Sequence, residues 1–283
     1  HNRGGDEEVS SGLHRRGRGS RGCCEAVDPV CRSRLPGMGR CVLKGGGQAL
    51  PHVEIPAGVR LMMQVPVRVV GVEFSYPTPA GAVRALDGVD LEVAAGELVC
   101  LYGASGSGKS TLLSVIGGLE VPQTGSIQVV GREIVGLSEG ERTDLRLCQV
   151  GLVFQEHNLV AQFTASENLQ IVLRAQGCRD AEAESRRLLD FVGIGELWNR
   201  MPDAMSGGQR QRVGVARALA GQRPVMLCDE PTGALDSGTS TALFGQIRDL
   251  TRRAGVACLI ATHDPLAERY ADRVLEIVDG RLS

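Results

Sequence analysis

The sequence has 283 residues, enough for one large domain or two small ones. Its 31 basic and 33 acidic residues leave a formal net charge of −2, which excludes a globally basic nucleic-acid-binding protein. Hydrophobic residues make up 42 % of the chain, which excludes wholesale disorder. No apolar run approaches the roughly 18 residues that a membrane span needs. The nine cysteines lack the spacing of a short secreted scaffold, and we therefore expect a reduced, cytosolic protein.

The first 62 residues differ in composition from the rest of the chain. They contain no Phe, Tyr or Trp, and no helical or strand period extends over more than a few residues. A metal site or a basic arm would be the functional interpretations, because this segment holds an arginine-rich run and four cysteines, Cys23, Cys24, Cys31 and Cys41. The cysteines lack a paired C-x-x-C spacing, however. We predict that residues 1–62 are a disordered tail, or upstream sequence translated from a start placed too early.

From residue 63 onward, the alternation of apolar runs and helical patterns predicts one α/β domain, residues 63–283. Apolar runs predict strands at 67–74, 91–93, 98–102, 126–130, 150–154, 225–228 and 257–261. Periodicity predicts helices at 108–118, 165–175, 181–192, 208–220 and 239–254. The Asp279-Gly280 pair predicts a hairpin turn. The helix-rich interval from about 158 to 205 is predicted to be a helical subdomain inserted into the α/β domain.

A glycine-rich segment follows the strand predicted at 98–102. It fits the pattern G-x-x-x-x-G-K-[ST] and consists of Gly103, Ala104, Ser105, Gly106, Ser107, Gly108, Lys109, Ser110 and Thr111. Small residues let successive backbone N–H groups close around phosphates, and the N-terminus of the following helix adds a favourable dipole. Lys109 can then reach the β- and γ-phosphates of a nucleotide, and the Ser110 hydroxyl can bind Mg²⁺. Since Lys44 is the only other lysine in this arginine-rich chain, Lys109 is a candidate for a role that arginine cannot fill.

Two carboxylates, Asp229 and Glu230, directly follow the apolar strand predicted at 225–228. In phosphate-loop ATPases, an aspartate at such a strand end holds Mg²⁺ directly or through water. A glutamate one residue further leaves the strand and can polarise the attacking water. A solvated acidic pair is the alternative, but the phosphate loop in the same chain favours nucleotide chemistry.

The segment Met205-Ser-Gly-Gly-Gln209 precedes the helix predicted at 208–220. Ser206 is placed to cap that helix, and the two glycines, Gly207 and Gly208, allow a close approach of the backbone to an anion. One nucleotide does not need two such sites. We infer that residues 206–209 serve a nucleotide held by another subunit.

These motifs resemble those of ABC-transporter nucleotide-binding subunits, in the family's order and over about residues 65–283. Residues 103–111 match the Walker A loop, residues 205–209 the LSGGQ signature with Met in place of Leu, and Asp229 and Glu230 the Walker B pair. Further matches are Gln155 (Q-loop), Ala234-Leu-Asp236 (D-loop), His263 (switch histidine) and Tyr76 (the aromatic that stacks on adenine).

The resemblance implies a P-loop NTPase fold of the ABC-ATPase type, with an antiparallel β subdomain and an inserted helical subdomain. Two subunits would meet head to tail, with ATP and Mg²⁺ between the phosphate loop of one and residues 206–209 of the other. Glu230 would orient the attacking water, and His263 with Lys109 would stabilise the developing charge. Gln155 would contact Mg²⁺ and its water beside Ser110 and Asp229.

The resemblance also implies partners. We expect a second ATP-binding subunit, a membrane-spanning permease and no nucleic acid, with the chain lying peripherally on the cytoplasmic face of the membrane. Residues 137–142, 150–159 and 164–169 resemble the lipoprotein-release and macrolide-export ATPases, and the cell-division member of that group is similar too. His157 departs from the aromatic residue expected there. Export or release through a separate permease is therefore the main hypothesis. Signalling to a membrane partner, as in the cell-division type, and a soluble ABC ATPase are the alternatives.

Overall fold

The computed structural model describes residues 65–79 and 81–283, so the predictions for residues 1–62 lie outside the described residues. The strands are β1 (Val67–Thr78), β2 (Gly81–Val93), β3 (Leu98–Tyr102), β4 (Thr124–Val129), β5 (Arg132–Glu133), β6 (Val150–Val153), β7 (Val225–Asp229), β8 (Ala257–Ala261), β9 (Arg273–Val278) and β10 (Arg281–Leu282). The α-helices are α1 (Lys109–Ile116), α2 (Glu139–Gln149), α3 (Ala165–Ala175), α4 (Ala181–Phe191), α5 (Gly207–Leu219) and α6 (Ser237–Ala254).

The central sheet has six strands in the order β10-β9-β3-β8-β7-β6. All neighbours pair in parallel except β10, which pairs antiparallel with β9. Because β8 lies between β3 and β7, the loops that follow these three strands leave the sheet side by side. Open α/β sheets bind their ligands outside the carboxyl ends of the strands, so this edge is where a site is expected.

The central sheet is covered on both faces, which explains why its strands are continuous apolar runs. Within β3, Leu98 and Cys100 face one core, whereas Val99 and Leu101 face the other. The first core is completed by apolar side chains of α3, α4, α5 and α6, and the second by α1 and a second sheet. Cores on both sides hold the strand ends, and hence the loops after them, in fixed positions.

The second sheet has four strands in the order β2-β1-β4-β5, all antiparallel. Its β1 buries Val67, Val69, Val72 and Phe74 towards the core shared with α1. The antiparallel β subdomain expected from the sequence is therefore present.

Between β6 and α5 lie the two helices α3 and α4, inside the interval predicted to be helical. Thr164 caps α3 through a reciprocal pair of hydrogen bonds with Glu167, which is a capping box. Leu169 and Leu173 of α3 are buried in the same core as Leu188 and Leu189 of α4. No helix within residues 65–79 and 81–283 is long and apolar enough to cross a bilayer.

The sequence-based element assignments need several corrections. The strand predicted at 91–93 is the end of a longer β2, and the helix predicted at 181–192 ends at Phe191. Helix α2 and strands β5, β9 and β10 were missing from the prediction. Helix α2 is amphipathic but mostly polar, with Leu145 and Gln149 as its buried residues, so a search for apolar runs passes over it although its capping box is readable. The hairpin turn is confirmed, since Asp279 and Gly280 join β9 to β10 with positive φ angles.

Candidate active site

The phosphate loop, residues 103–108, connects β3 to α1. Gly108 stands at the N-cap of α1 with φ 110°, and no side chain caps the helix. A Cβ atom on Gly108 would lie 2.4 Å from the carbonyl oxygen of Ala85, and one on Gly103 would lie 2.4 Å from that of Ile277. The loop is thus packed tightly against β2 and β9, while the first N–H groups of α1 have no side-chain acceptor.

Lys109 is folded over this loop. Its Nζ donates hydrogen bonds to the carbonyl oxygens of Gly103, at 2.7 Å, and Ala104, at 2.9 Å. An ammonium group has three N–H donors, so one is left for a ligand. The Ser107 hydroxyl in the same loop is buried and has no hydrogen-bond partner in the described chain. A phosphate oxygen would satisfy both groups, so the loop fits a nucleotide phosphate.

The predicted metal ligands Ser110 and Asp229 meet at the carboxyl end of β7. Burial raises the pKa of Asp229, and the nearby Glu230 raises it further, whereas a hydrogen bond from Ser110 and the charge of Lys109 lower it. A partly buried carboxylate next to a hydroxyl provides hard oxygen ligands of the kind that Mg²⁺ prefers.

Glu230 begins the turn after β7 in a left-handed conformation, with φ 47°. Its side chain is 12 % exposed, and its Oε1 lies 2.8 Å from Nδ1 of His263, whose side chain is 78 % exposed. The other carboxylate oxygen accepts a hydrogen bond of 3.0 Å from the Thr262 hydroxyl. The structure therefore brings together the predicted base and the predicted switch histidine. Thr262 was not singled out in the sequence, although it directly precedes His263 at the end of β8.

Tyr76 and Gln155 lie at the periphery of these groups. The Tyr76 hydroxyl is 3.4 Å from the Thr111 hydroxyl, and its ring meets Phe74 edge-on at 4.8 Å between centroids. Tyr76 is 38 % exposed, so part of its surface is open to a ligand. Gln155 is exposed in a turn two residues after β6, and in the described chain it makes no hydrogen bond to the other predicted site residues.

The segment 206–209 forms the N-terminus of α5. Ser206 is the N-cap: its Oγ accepts a hydrogen bond from the Gln209 N–H at 3.2 Å, and Gln209 Oε1 accepts one from the Ser206 N–H at 2.9 Å. A Cβ on Gly208 would lie 2.8 Å from Leu235 Cδ2, so this segment packs on the loop before α6. Met205 is 5 % exposed and part of the core, as expected of a packing residue. No hydrogen bond in the described chain joins residues 206–209 to residues 103–111.

One contact of Glu230 comes from α5 and was not foreseen from the sequence. Gln211, which is 1 % exposed, donates a hydrogen bond from Nε2 to the carbonyl oxygen of Glu230 at 3.3 Å. Gln211 was missed because its partner is set by the packing of α5 against β7.

A phosphate loop, strand-end carboxylates and a histidine at the carboxyl edge of one parallel sheet define a P-loop ATPase domain. The family model that matches is described as ABC transporter and covers residues 86–233. The chain belongs to this ABC transporter family.

Similar proteins agree with this assignment. The chain is 48 % identical, over 75 % of its length and 94 % of the relative's, to the lipoprotein-releasing system ATP-binding protein LolD 2 of Caulobacter vibrioides. It is 41 % identical, over 76 % of its length and 32 % of the relative's, to the macrolide export ATP-binding/permease protein MacB 1/2 of Paracoccus denitrificans.

Among solved structures, the dimeric ATP-binding cassette MJ0796 bound to ADP and Pi matches with a TM-score of 0.74 and 33 % identity. That match covers 77 % of this chain and 96 % of the cassette. The predicted fold class, ATP binding and ATP hydrolase class are thereby confirmed.

Proposed function

We propose that this chain is the ATP-hydrolysing subunit of an ABC transporter and that it powers export or release of a substrate through a separate permease. The observation that carries the proposal is the contact of the Glu230 carboxylate with His263 and Thr262, at the sheet edge that also holds the phosphate loop. The relatives named above, from lipoprotein release and macrolide export, support the direction of transport.

ATP is proposed to bind with its phosphates in the loop 103–108 and at the N-terminus of α1. Lys109 already turns its ammonium group towards that loop, and the orphaned Ser107 hydroxyl gains a partner there. Thr111 follows Ser110 in the first turn of α1, and its hydroxyl lies 3.4 Å from that of Tyr76. The half-exposed Tyr76 ring is then placed to stack on the adenine.

Mg²⁺ is proposed to be held by Ser110 and Asp229, with Gln155 contributing directly or through water. When bound, the ion neutralises charge on the β- and γ-phosphates. The raised pKa of Asp229 reflects burial and the neighbouring Glu230, and it supports a site that gains from a cation. Gln155 is exposed at the end of β6 and must swing inward to complete this ligand set.

Glu230 is proposed to orient and polarise the attacking water. Its carboxylate has one fixed oxygen on the Thr262 hydroxyl and one on the ring of His263. The exposed imidazole of His263 can leave Glu230 and contact the γ-phosphate instead. Together with Lys109 it stabilises the charge that develops on that phosphate.

Residues 206–209 are proposed to face a nucleotide held by a second copy of this chain. They make no hydrogen bond to the phosphate loop of their own chain within the described residues, and the matching cassettes are dimeric. ATP between two copies would close the dimer, and hydrolysis would reopen it. We place the assembly on the cytoplasmic face of the membrane, bound to a permease and not to nucleic acid.

The test is the turnover of Glu230→Gln. The substitution removes the base and preserves the shape of the side chain, so ATP turnover should fall by about 10²–10⁴-fold while ATP still binds. Glu268→Gln, an exposed glutamate shortly after the same strand β8, is the control and should keep the parental rate. Parental turnover by Glu230→Gln would contradict the assignment.

The transport part is tested separately by the membrane subunit that co-purifies. A permease with a large extracytoplasmic domain, together with ATP-dependent transport in reconstituted vesicles, is the expected result. A complex that hydrolyses ATP but moves no substrate would favour signalling to a membrane partner instead.

A further inference from the structure

Helix α5 holds two backbone segments that are both strained. His157 and Asn158, in the turn just after Gln155, have φ angles of 64° and 46°, and Glu230 has 47°. Non-glycine residues are uncommon in this left-handed region, Asn and His less so than Glu, and they persist where neighbours hold them. Helix α5 is one such neighbour of both segments, and Glu230 also donates its N–H to the Ala261 carbonyl at 2.9 Å and accepts at its own carbonyl from the Gly233 N–H at 3.2 Å.

The turn after Gln155 is fixed by the C-terminal half of α5. The Arg217 guanidinium donates to the carbonyl oxygens of His157, at 2.9 Å, and Asn158, at 2.5 Å. Gly214, one turn earlier, lies against this turn, since a Cβ there would be in ordinary contact with the His157 oxygen, at 3.7 Å. The turn therefore rests on the surface of α5.

The N-terminal half of the same helix also contacts Glu230. Gln211 is almost completely buried, and its Nε2 donates to the carbonyl oxygen of Glu230. Its Oε1 is buried and has no hydrogen-bond partner in the described chain, and the same is true of Nδ1 of His157. The Gln211 side chain faces the imidazole of His157: burial and the charge of Arg210 lower the pKa of His157, whereas the Gln211 amide raises it.

We propose that Gln211 is a positioning residue that joins the turn after Gln155 to the backbone of Glu230. A small rotation lets Nδ1–H of His157 donate to Oε1 of Gln211, whose Nε2 already holds the Glu230 carbonyl. An inward movement of the Gln155 turn is thereby transmitted to the carboxylate that orients the water. This inference rests on the proposed function, because it requires that Glu230 act on the attacking water.

The first experiment compares Gln211→Leu with Gln170→Leu. Gln170 is a similarly buried glutamine, 8 % exposed. Its amide is hydrogen-bonded to Ser166 and Arg174 within α3, and no hydrogen bond in the described chain connects it to Glu230. We expect Gln211→Leu to lower kcat about tenfold, the equivalent of one hydrogen bond in the transition state, with KM and the Kd for ATP within about twofold. Gln170→Leu should lose thermal stability to a similar degree and keep its kcat. An unchanged kcat in Gln211→Leu, or an equal loss in both variants, would overturn the proposal.

The second experiment asks whether Gln211 acts through Glu230. In a Glu230→Gln background, Gln211→Leu should cause no further fall in residual turnover, because the group that it positions is gone. An additional tenfold fall there would mean that Gln211 acts by another route. If Gln211→Leu fails to fold, Gln211→Met, which keeps the length of the side chain, replaces it: kcat should fall while ATP binding persists, and a parental kcat would contradict the link.

The two hypotheses fail in different ways. Parental turnover by Glu230→Gln would remove the proposed function, and the present inference with it. A large loss in Glu230→Gln combined with a parental rate in Gln211→Leu would remove the present inference alone.

Discussion

Glycines lie at the N-termini of both α1 and α5, at the N-cap Gly108 and in the first turn at Gly207 and Gly208, yet the two ends are completed in opposite ways. Helix α1 begins after Gly108, in a left-handed conformation and without a capping side chain. Helix α5 begins after Ser206, whose hydroxyl and backbone N–H are both bonded to Gln209. The N-terminus of α1 is therefore open to a ligand bound by the same chain, whereas the N-terminus of α5 already has side-chain hydrogen bonds of its own.

The difference indicates how one chain can carry two anion sites and use them differently. The open end at α1 needs an acceptor for its N–H groups, which a phosphate supplies. The capped N-terminus of α5 is stable without a ligand, and in a dimer it can contact a ligand that is bound to the other subunit. Changes at the N-terminus of α1 should therefore weaken ATP binding by the monomer, whereas changes at the N-terminus of α5 should spare that binding and affect what depends on the dimer.

The largest effect is expected at Gly108. Gly108→Ala places a Cβ 2.4 Å from the Ala85 carbonyl at a residue with φ 110°, so the loop must shift. We expect ATP binding, measured by calorimetry, to weaken by at least about 100-fold, which corresponds to roughly 3 kcal/mol. Gly136→Ala is the control, because Gly136 also has a positive φ, 92°, but nothing lies within 4 Å of the added atom. Equal losses in both variants would show that backbone strain alone, and not the shape of the cradle, decides binding.

A smaller loss is expected from Lys109→Arg. The charge is kept, but a planar guanidinium replaces the ammonium that donates to the carbonyls of Gly103 and Ala104. Losing a charged hydrogen bond costs about 1.5–3 kcal/mol, so ATP should bind about 10- to 100-fold more weakly. Near-parental binding by calorimetry would show that the loop does not hold the phosphates as described.

At α5, Ser206→Ala should lower both the melting temperature and the ATP turnover, whereas the equivalent change at α2 should lower only the melting temperature. Loss of a helix N-cap costs about 1 kcal/mol, which a lower melting temperature will report, while ATP binding by the monomer stays unchanged. Ser138→Ala removes the equivalent cap of α2, which has the same reciprocal bonds with Glu141. It should lower the melting temperature similarly but leave turnover intact. A fall in turnover with both variants would contradict a special role for the α5 end.

The smallest effect concerns pH. Hydrogen bonds from the Thr164 backbone, and then from its hydroxyl, lower the pKa of Glu167 at the cap of α3. A lowered pKa in the folded state adds stability above the ordinary pKa of glutamate, about 4.3, and that stability is lost as the pH falls through the lowered value. Glu167→Gln should therefore reduce the melting temperature at pH 7 and have no effect in acid. Gln209 fills the same position at α5 with a neutral amide, so the cost of Gln209→Ala should not follow this titration.

The sequence predicted those parts of the site that depend on residues close to each other along the chain. The phosphate loop, the strand-end carboxylates and the Ser206 cap are each encoded within a few consecutive residues. Thr262 and Gln211 escaped prediction because their contact with Glu230 arises from the adjacency of β7 and β8 and from the packing of α5. Similarly, α2 was missed because most of its residues are polar and few of them are buried, and β9 because its side chains are mostly exposed.

The most direct test of the central claim measures dimer formation by light scattering with ATP and Mg²⁺. Glu230→Gln traps the nucleotide and should dimerise, and adding Ser206→Arg should abolish the dimer although each monomer still binds ATP, because the cation enters the site that faces the partner's phosphates. Glu230→Gln with Ser138→Arg, a matching change at the cap of α2, should dimerise like the single variant. If the Ser206→Arg double variant dimerises as well as Glu230→Gln alone, the N-terminus of α5 does not serve a partner's nucleotide.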